Sequence, residues 1–123
     1  MAARTISLQC DLAVKDILCR AIRDYAFAAY PEGGSECAQV ARYTLLELVS
    51  TIDAGITADN GVVEVSKRPR AMIRAAIEYY FDREDAAQGG SSAEQRKVFA
   101  GLLAGEPTSR AQLEAAAAID RTG

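Results

Sequence analysis

Apolar and polar positions alternate through "RTISLQC", residues 4–10, and the period changes at Asp11. Two-residue alternation marks a strand with one buried face. It turns Ile6, Leu8 and Cys10 inward and Thr5, Ser7 and Gln9 outward. From Asp11 the apolar residues Val14, Ile17, Leu18, Ala21, Ile22 and Tyr25 recur at spacings of three and four, which predicts a helix to Tyr30. Asp11 can accept from the free amides of its first turn, and Pro31, Gly33 and Gly34 end it. Ser35 caps a second helix whose stripe is Cys37, Val40, Ala41, Thr44, Leu45, Leu48 and Ile52, ending before Gly55. Residues 56–61 read as a loop with "DNG" as its turn, and "VVEV", Val62 to Val65, reads as a short β-branched strand.

Ser66 is positioned to cap a third helix from Lys67 to about Ala87, with Pro69 in its first turn and Met72, Ile73, Ala76, Ile77 and Tyr80 inward. After "QGGSS", Ser91 and Glu94 have capping-box spacing for a fourth helix that carries Val98, Leu102 and Leu103 and stops near Gly105. Ser109 and Gln112 repeat that spacing and open a fifth helix over 108–120, with Leu113, Ala116, Ala117 and Ile119 inward. That helix is Ala-rich, with high propensity and little volume to bury. The fold class is therefore mainly α with a small two-stranded β ribbon, an α+β domain of about five helices spanning 1–123.

The pattern can be read as an internal repeat, or as the chance match of amphipathic helices whose shared periodicity selects the same residues. Shifted by 55 positions, Tyr25 meets Tyr80, Ile22 meets Ile77, Ala21 meets Ala76, Leu18 meets Ile73, Ile17 meets Met72, and Leu8 and Cys10 meet Val63 and Val65. Both units run into "GGS", and both following helices carry a Leu-Leu pair, Leu45-Leu46 and Leu102-Leu103. Units 4–52 and 62–104 thus read strand, long helix, Gly-Gly-Ser, helix.

A strand, a helix, a turn and a second helix resemble the ribbon-helix-helix family over residues 4–52, and more faintly over 62–104. The resemblance implies that two units pair their strands into an antiparallel ribbon, here within one chain. Thr5, Ser7 and Gln9 would then read base edges, and the second helix's N-terminal amides would meet phosphate. Against this implication, both first helices run longer than the family's usual one. Glu64 would face outward on the second strand and repel phosphate. Residues 1–52 carry five cations against six carboxylates.

Net charge is -3 and the pI near 5.0, which disfavours a nonspecific nucleic-acid coat. One local exception is "SKRPR" and onward, where Lys67, Arg68, Arg70 and Arg74 could meet an acidic partner. That partner could be DNA, RNA or an acidic protein surface. Cations at a helix start oppose its dipole, so their presence there points to such a partner as much as to a solvated face. Tyr79, Tyr80 and Phe81 are consecutive on a helix and cannot all face one core. Tyr25, Phe27 and Tyr30 pose the same problem at the end of the first helix, and the two groups mark a homodimer or partner surface.

The chain contains no histidine, which removes the commonest general base and metal ligand. No phosphate-cradling glycine motif follows a strand. The odd cysteine count (Cys10, Cys19, Cys37) without CxxC spacing reads as small buried hydrophobes in a reducing cytoplasm. Met1 leads directly into the first strand with no targeting extension, and no membrane span is expected.

No enzyme activity, cofactor or metal is expected. The leading expectation is a regulatory inhibitor or adaptor acting by protein–protein binding, with phage-borne inhibitors such as anti-CRISPR proteins an instance by size and type only. Its partner-binding residues are Lys67, Arg68, Arg70, Arg74, Tyr79 and Tyr80. The alternative is a ribbon-helix-helix-like DNA-binding regulator reading through Thr5, Ser7 and Gln9.

Overall fold

The computed structural model describes residues 4–122. Met1, on which the expectation of no leader rests, lies outside them. The chain runs β1 (Thr5–Cys10), α1 (Leu12–Ala29), α2 (Glu36–Gly55), β2 (Gly61–Ser66), α3 (Arg70–Gln88), α4 (Ala93–Leu103) and α5 (Arg110–Thr122). The two strands form one antiparallel ribbon, giving an α+β fold. Its register sets Leu8 opposite Val63, the pair that the 55-residue shift also equates. One ribbon face is core: Ile6, Leu8, Cys10 and Val65 are buried. They pack with Leu18 and Ile22 of α1, Leu45 and Ile52 of α2, Ile73 and Phe81 of α3, and Phe99 and Leu102 of α4. Each fully buried side chain of this size contributes about 2 kcal/mol by removal from water.

Local chemistry fixes the helix ends. Asp11 caps α1 by accepting from the Val14 amide at 3.1 Å, and Ser35 caps α2 through Ala38 at 3.2 Å. Gly89 closes α3 in the left-handed region at φ 67°. The α5 capping box forms reciprocally: the Ser109 amide donates to Gln112 Oε1 and the Gln112 amide to Ser109 Oγ.

Several sequence expectations are corrected. Ser66 does not cap α3; its Oγ accepts from the Arg68 amide, Pro69 takes the cap position, and the helix starts at Arg70. Ser91 and Glu94 form no capping box on α4. Asp120 of α5 takes that role, accepting from the Glu94 and Gln95 amides at 2.8 and 3.1 Å. Ile119 is exposed rather than inward, and the α2 stripe is turned: Cys37, Val40 and Thr44 face out while Arg42 and Val49 face in. The inward arc of α2 is set by packing against α1 and β2, and the sequence stripe spans more of the circumference than that contact covers.

Two charged residues act inside the framework. Lys15 sits on the buried side of α1, where its Nζ donates to the Ile56 carbonyl at 3.1 Å and pairs with Asp53 at 3.0 Å. The hydrogen bond to Asp53 holds its ammonium above the ordinary value, against the opposing effect of burial. Arg96 joins α4 to α3 through Glu78, Asp82 and Asp85, and stacks over Phe81. Burial disfavours its charge, but the bonds to Asp82, Asp85 and Glu78 outweigh that and raise its pKa.

Candidate partner-binding surface

The outward ribbon face pairs Thr5 with Ser66, Ser7 with Glu64 and Gln9 with Val62. Thr5 and Glu64 are exposed, and Ser7 and Gln9 are half-buried. Two of the polar side chains on this face already have partners: Ser7 Oγ donates to Glu64 Oε1 at 3.2 Å, and Gln9 Nε2 to Asn60 Oδ1 at 2.9 Å. Lys67 and Arg68 are exposed in the turn after β2, where the Lys67 amide donates to the Arg4 carbonyl. Arg70 is half-buried, with its Nε buried and unpartnered, and Arg74 is exposed one turn on. These four therefore gather at one end of the ribbon.

Tyr79 and Tyr80 lie farther along α3, Tyr79 roughly 14 Å beyond Arg70 and roughly 8 Å beyond Arg74 at the helical rise. Both are half-buried. Tyr79 meets Tyr25 edge-on at 5.9 Å, Tyr25 meets Tyr30 at 6.1 Å, and Arg83 covers the Tyr79 ring. Phe81 is buried against Phe99, so the three consecutive aromatics divide between core and the α1–α3 seam. The structure does not bring the basic and aromatic halves of the expected site together.

The residues that sequence reasoning underweighted lie on α2. Val40 is 63% and Tyr43 65% exposed, and Phe27 of α1 beside them is 49% exposed. Arg42 sits among them at 7% exposure, its guanidinium 6.0 Å from the Phe27 ring and 5.6 Å from that of Tyr43. It also bonds Gln39, and its Nη1 is buried with no partner. The signal was present in the sequence: the α2 stripe is too wide for one inward face, so part of it had to remain outside. The equivalent helix in the second unit, α4, has no such exposed face, because α5 lies along it and buries Leu113 and Ala116 there.

One cleft carries engaged side chains. In a cleft of about 520 Å³ among α3, α4 and α5, Glu84 bonds Gln88, Asp85 bonds Ser92 and Arg96, and Asp120 holds the α4 amides. Burial pushes the Cys10 and Cys19 thiols up to about 11, away from thiolate reactivity. Cys37 is exposed, which corrects its expected burial. Among the described residues, no group of three or more His, Cys, Asp or Glu is placed to hold a metal ion. Nor is any described helix long and apolar enough to cross a membrane. Comparison with protein-family models, curated proteins and solved structures returns no match.

Proposed function

We propose that this protein acts without catalysis, as an inhibitor or adaptor that occupies the surface of another protein in a reducing cytoplasm. The observation that carries this reading is the uncovered outer face of α2. Val40, Tyr43 and Phe27 surround a buried Arg42 that has an unused donor. Aromatic residues and arginine are the types enriched at the centres of protein interfaces, and contiguous exposed apolar surface in a small domain marks a contact. Arg68 shares a groove with Thr44, Leu48 and Thr51 of α2, which sets a cation at the β2 side of that helix. Affinity capture from the cells that make the protein should return a stoichiometric protein complex, and the double variant Val40→Asp, Tyr43→Asp should lose it while remaining folded. A complex that survives the double variant would remove α2 from the account.

DNA binding is the second reading, and one observation favours it: the ribbon closes within the chain with Thr5, Ser7 and Gln9 on its outward face. It ranks lower because Glu64 stands among them and accepts from Ser7. In addition, the α4 amides that would meet phosphate hold Asp120. A gel shift with random duplex pools at low salt tests it. Retention that falls steeply with salt and weakens in Gln9→Ala would reverse the ranking.

A further inference from the structure

The two edges of the ribbon are treated differently. The Lys67 amide bonds across it to Arg4, and the Thr108 amide bonds Gln9 from outside. In an antiparallel ladder this phase turns the backbone groups of Thr5, Ser7 and Gln9 away from β2, and those of Val62, Glu64 and Ser66 away from β1. The β1 edge is occupied. Thr108 lies parallel to it against Cys10, giving its N–H to the Gln9 carbonyl at 2.8 Å, with its own side chain buried. The chain then enters α5, whose Arg110 amide is held by Asp11.

Among the described residues the β2 edge has no such occupant. Among the described residues, no group bonds the backbone N–H or C=O of Glu64. Beside it lies a groove of about 280 Å³ lined by Leu48, Val65 and Pro69, with Thr44 and Thr51 of α2 as a wall. The 55-residue shift equates Glu64 with Gln9, and the two Leu-Leu pairs equate Thr44 with Gly101. Gly101 is the α4 residue over which Glu106 of the internal occupant lies. The groove therefore holds, on β2, the place that Glu106, Pro107 and Thr108 fill on β1.

We infer that the β2 edge is a strand-addition site for an extended segment of the partner protein, an inference that rests on the protein-binding reading above. The segment runs parallel to β2, takes the Glu64 amide on one of its carbonyls, gives one amide to the Glu64 carbonyl and sets a small side chain over Leu48 and Val65, the last two as Thr108 does on β1. An unpaired edge beside an apolar groove supplies both parts of this recognition mode, main-chain bonds and a side-chain pocket. The parallel direction brings the C-terminal end of the segment toward Lys67 and Arg68. Both are exposed, and among the described residues neither makes an ion pair. The occupant is thus an extended peptide with a small residue at its centre and carboxylates just after it.

The test is selection of a displayed library of random linear peptides on the full-length protein, followed by hydrogen exchange with the best binder as probe. Selected sequences should share the small-then-acidic order, and the binder should slow exchange of the Glu64 amide about tenfold or more. Glu64→Pro removes the outward donor without touching the backbone bonds across the ribbon, Glu64→Ala controls for loss of the Ser7 side-chain bond, and Thr44→Arg fills the groove from an exposed helix position. Glu64→Pro and Thr44→Arg should each abolish peptide binding, and Glu64→Ala should retain it. Binders that protect other amides, binders indifferent to both variants, or no binders at all would overturn the inference. If the captured protein complex persists in both variants but is lost in Val40→Asp, Tyr43→Asp, the binding reading stands and strand addition fails. If neither set of variants disturbs that complex, α2 and the β2 edge are both excluded.

Discussion

The α2 face puts Arg42, a residue normally solvated, at 7% exposure between the rings of two exposed residues, Phe27 and Tyr43. A guanidinium keeps its charge when buried, so an Nη1 without an acceptor is a standing cost that a partner's oxygen would offset. The exposed neighbours carry little folding energy. Val40→Asp and Tyr43→Asp should each shift unfolding free energy by about 0.5 kcal/mol or less in denaturant melts, so a lost complex reports the contact and not the fold. The cysteines give an independent check at the same scale. In the native protein at neutral pH a thiol reagent should modify Cys37 alone, and all three only after unfolding. Because Cys10 and Cys19 are raised from about 9 to about 11 by burial, the unfolded chain gives up these protons first as pH rises. Their contribution to stability is complete below about pH 9 and should be lost as pH climbs through 11, seen as a falling denaturant midpoint. A midpoint flat across that window would contradict their burial.

At the scale of elements, the ribbon, its outward Glu64 and the caps of α1, α2 and α5 were legible, because alternation, helical period and cap residues act within a few positions. The α4 start was not. Its capping comes from Asp120, far along the chain, and no local pattern announces a cap supplied in space. The exposed half of the α2 stripe was misread for a related reason: periodicity reports which residues could be buried, and tertiary contact decides which are. Of the expected site, the exposed Lys67–Arg68 pair was readable as a charge cluster, while the open β2 edge depends on what fails to cover it.

Two substitutions test these joints. Asp120→Ala should cost about 1–2 kcal/mol, as loss of a helix cap does. Burial raises the Asp120 pKa, but the Glu94 and Gln95 amides outweigh that and leave it below the usual carboxylate value. The difference between wild type and variant in thermal melts should therefore be full above about pH 4 and shrink as pH falls through the lowered value. Gly55→Ala places a Cβ 2.3 Å from Val63 Cγ2, where the end of α2 meets β2, and should cost about 2 kcal/mol through overpacking. A silent Gly55→Ala would mean that α2 and β2 sit farther apart than described.

For the whole molecule, the asymmetry between two similar halves is the main feature. Both halves follow strand, long helix, second helix, yet the following segment closes only the outer helix of the second, α4, and the ribbon edge beside it, that of β1. The outer helix of the first half, α2, and the β2 edge beside it leave Val40, Tyr43 and Glu64 open on adjoining surfaces. Burial of that surface, rather than any bond-making chemistry, is what the account assigns to the protein. The most direct measurement is photo-cross-linking in cells from a reactive side chain installed at position 40, with position 114 on the outer face of α5 as control. The account predicts a discrete protein adduct from position 40 and none from 114. An adduct from 114 alone, no protein adduct at either position, or cross-links from 40 to nucleic acid would contradict it.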